Sequence, residues 1–321
     1  MSMPGTDIAG TTPTRAAQTQ IAYRKRLRQL VTAYARRTGR AIATVTSADL
    51  ARDLDARADE LAAATVRQYR AAIAYGVATG WLTGTSVRTR QAGKTGRRRG
   101  RMTSSLKLKK VTDADMRAID AALRASTSGY AQELRAFLLA NRLVGLRVCE
   151  WRSAVFLDCH PETGGPALRV QNAKTSNGRG LGPVRTLHLT GMPRDALVTI
   201  EVCARWLRRR ADDGTFDAWQ SGASRLLHRV CRRRWPRRKR HVTLYSTRHA
   251  CAAQAKAVWC QAGVAALLGH RSGETASRHY ARTARHGRRW APTKLPKPDL
   301  ALLDRVSVRA AGQRPRPARG P

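Results

Sequence analysis

Apolar residues recur at helical spacing over roughly the first 80 residues of the chain. The first such stretch covers about residues 15–37, and its apolar positions lie three and four residues apart. A short helix is predicted from Ser47, whose hydroxyl would cap it, to Leu54, and a third helix from about residue 59 to 79, where Gly80 ends it. The pattern predicts a small, helical first domain.

The apolar pattern changes its period in the second half of the chain. Thr112-Asp113-Ala114-Asp115 has the form of a capping box and predicts a helix, and a second helix follows from about Ala131 to Leu143. Residues 167–171 and 184–189 then alternate between apolar and polar positions around a glycine-rich stretch, which predicts a β-hairpin. Helical spacing returns from about Leu197, so the predicted fold class is mostly α with one small β-sheet.

The chain is strongly basic, with 61 Lys and Arg residues against 21 Asp and Glu, a formal net charge of +40 over 321 residues. So large an excess repels itself in a compact fold and is tolerated when a polyanion neutralises it. Nucleic acid is the polyanion indicated, because Lys and Arg release counterions when they contact phosphates. The alternative is a protein from an Arg-rich and Ala-rich proteome, but the acidic residues are not raised to match.

Nothing in the sequence indicates a membrane span, a secretory signal or a metal site. No run approaches 18 apolar residues, and residues 1–14 are polar. The six cysteines form no CxxC pair and are predicted to be reduced thiols in a cytoplasmic protein associated with the bacterial nucleoid. Zinc bound by Cys231, His228 and His241 would need a spacing that fits no known ligand pattern. With no phosphate-binding loop and no paired acidic site, no cofactor is predicted.

A shift in composition at residues 83–110 separates the two halves. This stretch is rich in Gly, Ser, Thr and cations and contains no acidic residue, so it is predicted to be a linker lying along a DNA backbone, an untethered flexible linker being the alternative. The cations predicted to contact DNA there are Arg97, Arg98, Arg99, Arg101, Lys107, Lys109 and Lys110.

The composition and periodicity together predict five segments. They are a disordered N-terminus at 1–14, a helical DNA-binding domain at 15–82, the linker at 83–110, a second domain at 111–290 and a loose, Pro-rich and basic tail at 291–321.

The second domain contains the side chains that cutting DNA without a metal ion requires. The reaction needs a nucleophile, cations that stabilise the phosphate, and an acid that protonates the leaving 5′-oxygen. Arg147 follows a glycine turn, Lys174 comes 27 residues later in the hairpin, and Arg248 begins a helix. His270 lies 22 residues after Arg248, and Tyr280 lies 10 residues after His270. Two arginines suit the phosphate oxygens, since each stays charged and binds bidentately.

These residues resemble the motifs of the tyrosine site-specific recombinases, or phage-type integrases. The segment GLRVCE resembles the first-arginine motif, AKTSN the hairpin lysine motif, STRHA the second-arginine motif, LLGH the histidine motif and HYAR the nucleophile motif. The order agrees over roughly residues 112–285. The resemblance implies a catalytic domain at 111–290, Tyr280 as the covalent nucleophile, Arg147, Lys174, Arg248 and His270 as its partners, and a homotetramer on two DNA duplexes. It also implies that the helical domain at 15–82 and the catalytic domain clamp duplex DNA between them, and that residues 286–321 are candidates for packing on a neighbouring protomer.

The chain departs from the family pattern at two positions. Tyr245 stands where the family usually has a histidine, and it is predicted to be a catalytic residue that donates a hydrogen bond, with His249 as a group that would compensate for the missing base. The gap between His270 and Tyr280 is one residue longer than usual, which turns a helical side chain by about 100°. Both departures favour the alternative of a non-catalytic DNA-binding protein on a recombinase fold.

Each candidate residue also has a less specific interpretation. Tyr280 would otherwise be a packing aromatic, with Tyr245 as a rival nucleophile, and Lys174 would otherwise be a solvated cation for which Arg179 or Arg185 substitutes. Arg179 and Arg185 are both predicted to contact DNA. Glu150 is predicted to be a structural partner for a neighbouring cation. The biological setting stays open among phage, transposon, integrative plasmid, dimer resolution and topoisomerase-like relaxation.

Overall fold

The computed structural model describes residues 17–58, 60–61, 63–85, 108–173, 181–273 and 295–307. The chain divides into two units, Met1–Leu106 and Lys107–Pro321. No helix in the described part of either unit is long and apolar enough to cross a membrane.

In the described part of the first unit, the α-helices are α1 (Ala17–Thr38), α2 (Ser47–Ala56) and α3 (Ala63–Ala78), with a 3-10 turn at Ile42–Thr44. Leucines and valines on their facing sides form one small core, as the helical spacing predicted. The third helix begins later than predicted, because the described residues just after α2 form turns.

The prediction that Ser47 caps α2 is wrong, because Thr46 is the cap. The Thr46 hydroxyl accepts a hydrogen bond from the Asp49 amide at 3.2 Å, and the Asp49 carboxylate accepts one from the Thr46 amide at 3.1 Å. This reciprocal box satisfies two amides that a helix start leaves unpaired. Ser47 is buried instead, and its hydroxyl donates to the Thr85 carbonyl at 3.1 Å.

The second unit is mostly helical around one small antiparallel sheet. Its helices are α4 (Asp113–Arg124), α5 (Ala131–Val144), α6 (Arg194–Asp212), α7 (Phe216–Arg234), α8 (Ser246–Val258) and α9 (Gln261–Leu267). Its strands are β1 (Val155–Leu157), β2 (Ala167–Gln171), β3 (Val184–His188) and β4 (Lys297–Pro298), in the order β1-β2-β3-β4. A 3-10 helix, Val148–Ser153, connects α5 to β1, and another covers Leu300–Leu302. The predicted fold class, mostly α with a small sheet, is confirmed.

Two predicted details of this unit are also confirmed. Thr112 and Asp115 form a capping box at the start of α4. The predicted hairpin is present, with Ala167 opposite His188 and Gln171 opposite Val184. The core beneath it is built on Phe137, whose ring packs edge-on against Trp151 and Trp219.

The prediction of a loose tail beyond residue 290 is wrong for the described residues 295–307. Lys297 pairs with His188 at the edge of the sheet, and the Ser307 amide donates to the Arg271 carbonyl at 2.8 Å. Leu302 and Val306 are buried against α9, since this segment carries apolar side chains that the sheet and helix cover. This segment therefore packs on its own chain.

Candidate active site

Glu150 is the centre of a buried group of charges in the second unit. Its carboxylate is fully buried and accepts hydrogen bonds from Arg147 Nη1 at 2.5 Å and Arg185 Nη2 at 2.8 Å. Arg248 Nη1 lies 3.7 Å from Glu150 Oε2. We call Arg147, Glu150, Arg185, Arg248 and His270 the arginine–glutamate cluster. The prediction that Glu150 is a structural partner for a cation is confirmed by these contacts.

Arg147 reaches the cluster because α5 stops sharply two residues before it. Gly145 caps α5 with φ 65°, and a β-carbon there would lie 2.7 Å from Cys251 Sγ, so this turn needs glycine. Arg147 then begins the 3-10 helix, and its amide donates to Glu150 Oε2 at 2.8 Å. The same carboxylate thus fixes the Arg147 backbone and its side chain.

Arg248 enters the cluster from the first turn of α8, and its side chain is fully buried. Its Nη1 donates to the Gly145 carbonyl at 2.6 Å, and its Nη2 donates to the Leu268 carbonyl at 2.8 Å. Nη2 also lies 2.9 Å from His270 Nε2. These bonds tie the turn after α5 to the turn after α9 through one guanidinium.

His270 is buried beside Arg248, and its ring is neutral. Burial, and then the charge of Arg248, lowers the pKa of His270 from 6.5 to about 2. A guanidinium only donates hydrogen bonds, so Nε2 must be the accepting nitrogen and the ring proton lies on Nδ1.

The cluster holds more positive than negative charge. Burial alone would raise the pKa of Glu150, but the charges of Arg185 and Arg248 outweigh it and the pKa is lowered below its usual range. Glu150 is therefore a carboxylate, and its single negative charge faces three guanidiniums. An excess of two positive charges remains at a site shielded from water, which favours an anion such as a phosphate diester.

The prediction that Arg185 contacts DNA does not agree with its position. Arg185 is buried, and its guanidinium donates to Glu150 and to Asn172 Oδ1 beneath the sheet. Sequence reasoning missed this structural role, although a signal was present. Arg185 shares the inward face of β3 with Leu187, two residues on, so the strand period already placed it in the core.

Several predicted site residues lie outside the described residues. They are the proposed nucleophile Tyr280, the hairpin cations Lys174 and Arg179, and the linker cations Arg97, Arg98, Arg99, Arg101 and Lys107. Of the remaining linker cations, Lys110 is exposed and Lys109 is half-buried.

Tyr245 lies directly before α8 and is half-buried. Its ring packs edge-on against that of His249, with the ring centres 5.2 Å apart. Tyr245, which stands where the family usually has a histidine, is therefore adjacent to His249, which is predicted to compensate for that histidine. Both lie beside Arg248 at the start of α8.

Sequence comparisons identify no relative: no family model and no curated protein matches the chain. Solved structures do match. A lambda integrase dimer bound to a COC′ core site has a TM-score of 0.53 at 20% identity, with 86% of this chain and 75% of that chain covered. A lambda integrase tetramer bound to a Holliday junction has a TM-score of 0.52 at 20% identity, with the same coverage.

The protein therefore has the fold of the tyrosine recombinases, as the motifs predicted. In particular, its fold is similar to that of lambda integrase over most of both chains.

Proposed function

We propose that this protein is a site-specific DNA recombinase that cuts and rejoins DNA through a covalent 3′-phosphotyrosyl intermediate on Tyr280. The observation that carries the proposal is the arginine–glutamate cluster. Arg147 and Arg248 lie 101 residues apart in the sequence, since 248 − 147 = 101, yet both approach Glu150, and Arg248 contacts His270. Residues of three of the five motifs thus lie together in a site with excess positive charge, which supports an anion-binding role for the site.

In the proposed reaction, the Tyr280 phenolate attacks the scissile phosphorus. The bond from phosphorus to the tyrosine oxygen forms, the bond to the 5′-oxygen breaks, and Lys174 donates a proton to that oxygen. Arg147 and Arg248 stabilise the charge that develops on the phosphate oxygens. The phosphotyrosyl bond conserves the energy of the phosphodiester, so attack by a 5′-hydroxyl rejoins the strand without ATP or a metal ion.

The proposed substrate is double-stranded DNA, and recombination implies four protomers on two duplexes. The net charge of +40 supports a polyanionic partner. The solved lambda integrase assemblies, which include a tetramer on a Holliday junction, support an oligomer on DNA. The linker cations, Lys109 and Lys110 among them, are proposed to contact the phosphate backbone.

Covalent trapping on nicked suicide duplexes tests the proposal. The duplexes form a library cut from the sequence that flanks the gene, and the readout is a protein–DNA adduct that survives denaturation. We expect an adduct with the wild type and with Tyr130→Phe, a tyrosine that packs against the core beside Gly222, and none with Tyr280→Phe. An adduct that persists in Tyr280→Phe would refute the assignment of the nucleophile.

A second candidate is a non-catalytic DNA-binding protein on the same fold, and Tyr245 favours it because a phenol is a poor base at neutral pH. Binding of the flanking duplexes without any adduct would support this candidate and contradict the enzymatic one.

A further inference from the structure

A buried pair, Asn172 and Arg185, anchors both ends of the segment that carries Lys174. Asn172 directly follows β2, and its amide donates to the Pro183 carbonyl at 2.8 Å. Its side-chain Nδ2 donates to the Gly182 carbonyl at 2.9 Å. Asn172 Oδ1 accepts a hydrogen bond from Arg185 Nη1 in β3. The two strands are therefore joined below the hairpin by side chains as well as by the ladder.

The same pair connects the hairpin to the arginine–glutamate cluster. Arg185 Nη2 donates to Glu150 Oε2 at 2.8 Å, and the amide of Ala173 donates to Glu150 Oε1 at 3.3 Å. Lys174 is the next residue after Ala173 in the sequence. One carboxylate thus binds Arg147 on one side and the base of the lysine hairpin on the other.

The pair also lies against the turn that leads to His270. A β-carbon on Gly269 would lie 2.6 Å from Asn172 Oδ1 and 2.8 Å from Arg185 Nη1. The Gly269 backbone therefore packs directly on the pair. Parts of four of the sequence motifs meet at one buried hydrogen-bonded group, whose position is sensitive to small changes in packing.

We infer that Asn172 and Arg185 form a positioning clamp that fixes the base of the hairpin, at Ala173 and Gly182, to Glu150 and through it to Arg147. The inference rests on the proposed function and assigns to it two residues that do not touch the DNA. A general acid must lie within hydrogen-bond reach of the atom it protonates, so loosening the hairpin should slow strand cleavage more than phosphate binding.

Paired substrates separate this role from a general structural one. One duplex has the ordinary 5′-oxygen at the scissile phosphate, and the other has sulfur in that bridging position. A thiol has a pKa of about 8.5, so it leaves as a thiolate and needs no proton from Lys174. The readout is the single-turnover rate of adduct formation on each duplex, for the site selected by trapping.

The variants are Arg185→Met and Asn172→Ala, with Arg169→Met as the matched control. Arg169 is an exposed cation on β2 of the same sheet. We expect Arg185→Met to slow cleavage of the oxygen duplex by about 100-fold, the low end of general-acid catalysis. Its rate on the sulfur duplex should stay within about threefold of wild type. Arg185→Lys should recover part of the loss, and Arg169→Met should match wild type on both duplexes.

Asn172→Ala keeps all the charges of the cluster and tests the clamp if Arg185→Met does not fold. If a variant that folds, Arg185→Met or Asn172→Ala, is slowed equally on the oxygen and sulfur duplexes, the inference is overturned and the proposed function is left intact. A wild-type protein that forms no adduct with either duplex would overturn both. A wild-type rate on the oxygen duplex for both variants would also overturn the clamp.

Discussion

Replacing Glu150 by Gln removes the negative charge that, among the described residues, faces the buried guanidiniums of Arg185 and Arg248 and the half-buried guanidinium of Arg147, with almost no change in shape. Glu150 and Arg185 have fully buried side chains whose charged atoms lie 2.8 Å apart, and Arg147 lies at 2.5 Å. In a medium of effective dielectric 20, a contact at 2.8 Å represents about 6 kcal/mol of charge attraction before solvation is counted. The substitution loses that attraction and leaves three cations without a counter-charge.

The expected net effect is smaller than the attraction, because the buried carboxylate itself was costly to desolvate. Removing one partner of a buried pair typically costs about 3–5 kcal/mol, so Glu150→Gln should lower the free energy of unfolding by about that amount. Glu133→Gln is the matched control. Glu133 pairs with a partly exposed Arg210 at 3.0 Å, and loss of such a pair should cost at most about 1 kcal/mol.

Urea denaturation followed by tryptophan fluorescence measures both losses. Trp151 and Trp219 are buried in the core of the second unit, so their emission reports its unfolding. If Glu150→Gln lost no more stability than Glu133→Gln, Glu150 would not be the counter-charge of the cluster. The argument for a site with an excess of positive charge would then fail.

Three further results are expected. Burial, and then the charge of Arg248, lowers the folded-state pKa of His270 below the unfolded value of 6.5. The unfolded chain therefore takes up the proton first, and the free energy of unfolding falls as the pH drops below about 6.5. Between pH 7 and pH 5 the wild type should lose about 2 kcal/mol more than His270→Gln in urea titrations, and equal losses would contradict the buried neutral ring. Gly269→Ala should cost about 2–4 kcal/mol, since it adds a contact with Asn172 Oδ1 to the strain of a positive φ. Gly214→Ala, at φ +68° with open space around it, should lose only the stability that the backbone strain costs. Similar losses of stability in Gly269→Ala and Gly214→Ala would show that the clamp tolerates the extra carbon. Sulfate stabilises folded proteins in general, but its gain in melting temperature over sodium chloride of equal ionic strength should be larger in the wild type than in Arg147→Met, because the wild-type cluster also binds the anion. An equal gain in that variant would place the bound anion elsewhere.

Most secondary-structure elements were predictable, because each leaves a pattern in a short stretch of the sequence. The hairpin was visible as an alternation of apolar and polar residues, and the start of α4 as a capping box. The cap of α2 was assigned one residue late, because Thr46 and Ser47 are both good capping residues and only the return bond from Asp49 separates them. The packing of residues 295–307 was missed, because it depends on contacts with a sheet edge formed far earlier in the chain.

The candidate site was predictable in part for the same reason. The order of Arg147, Arg248 and His270 could be read from the sequence, but the counter-charge arrangement could not, since it depends on which cations face inward. In a chain with 61 Lys and Arg residues, composition alone predicts that Arg185 is one more DNA contact. Only the alternation along β3 distinguishes Arg185 from the DNA-contacting cations, because it places Arg185 on the inward face of the strand. A guanidinium can be buried there when a carboxylate, here that of Glu150, pairs with it.

The arrangement around Glu150 also explains why the motifs are informative only as a set. Arg147, Arg185 and Arg248 all approach its carboxylate, and Arg248 in turn contacts His270. A buried cation is costly unless its partner is present, so each of these residues is stable in its position only while the others are in theirs. Their free-energy contributions should therefore be coupled rather than additive. In a double-mutant cycle, Glu150→Gln and Arg185→Met should together cost less than the sum of the single losses, because each removes the reason for the other's burial cost. Additive losses within about 0.5 kcal/mol would show that the two residues act independently.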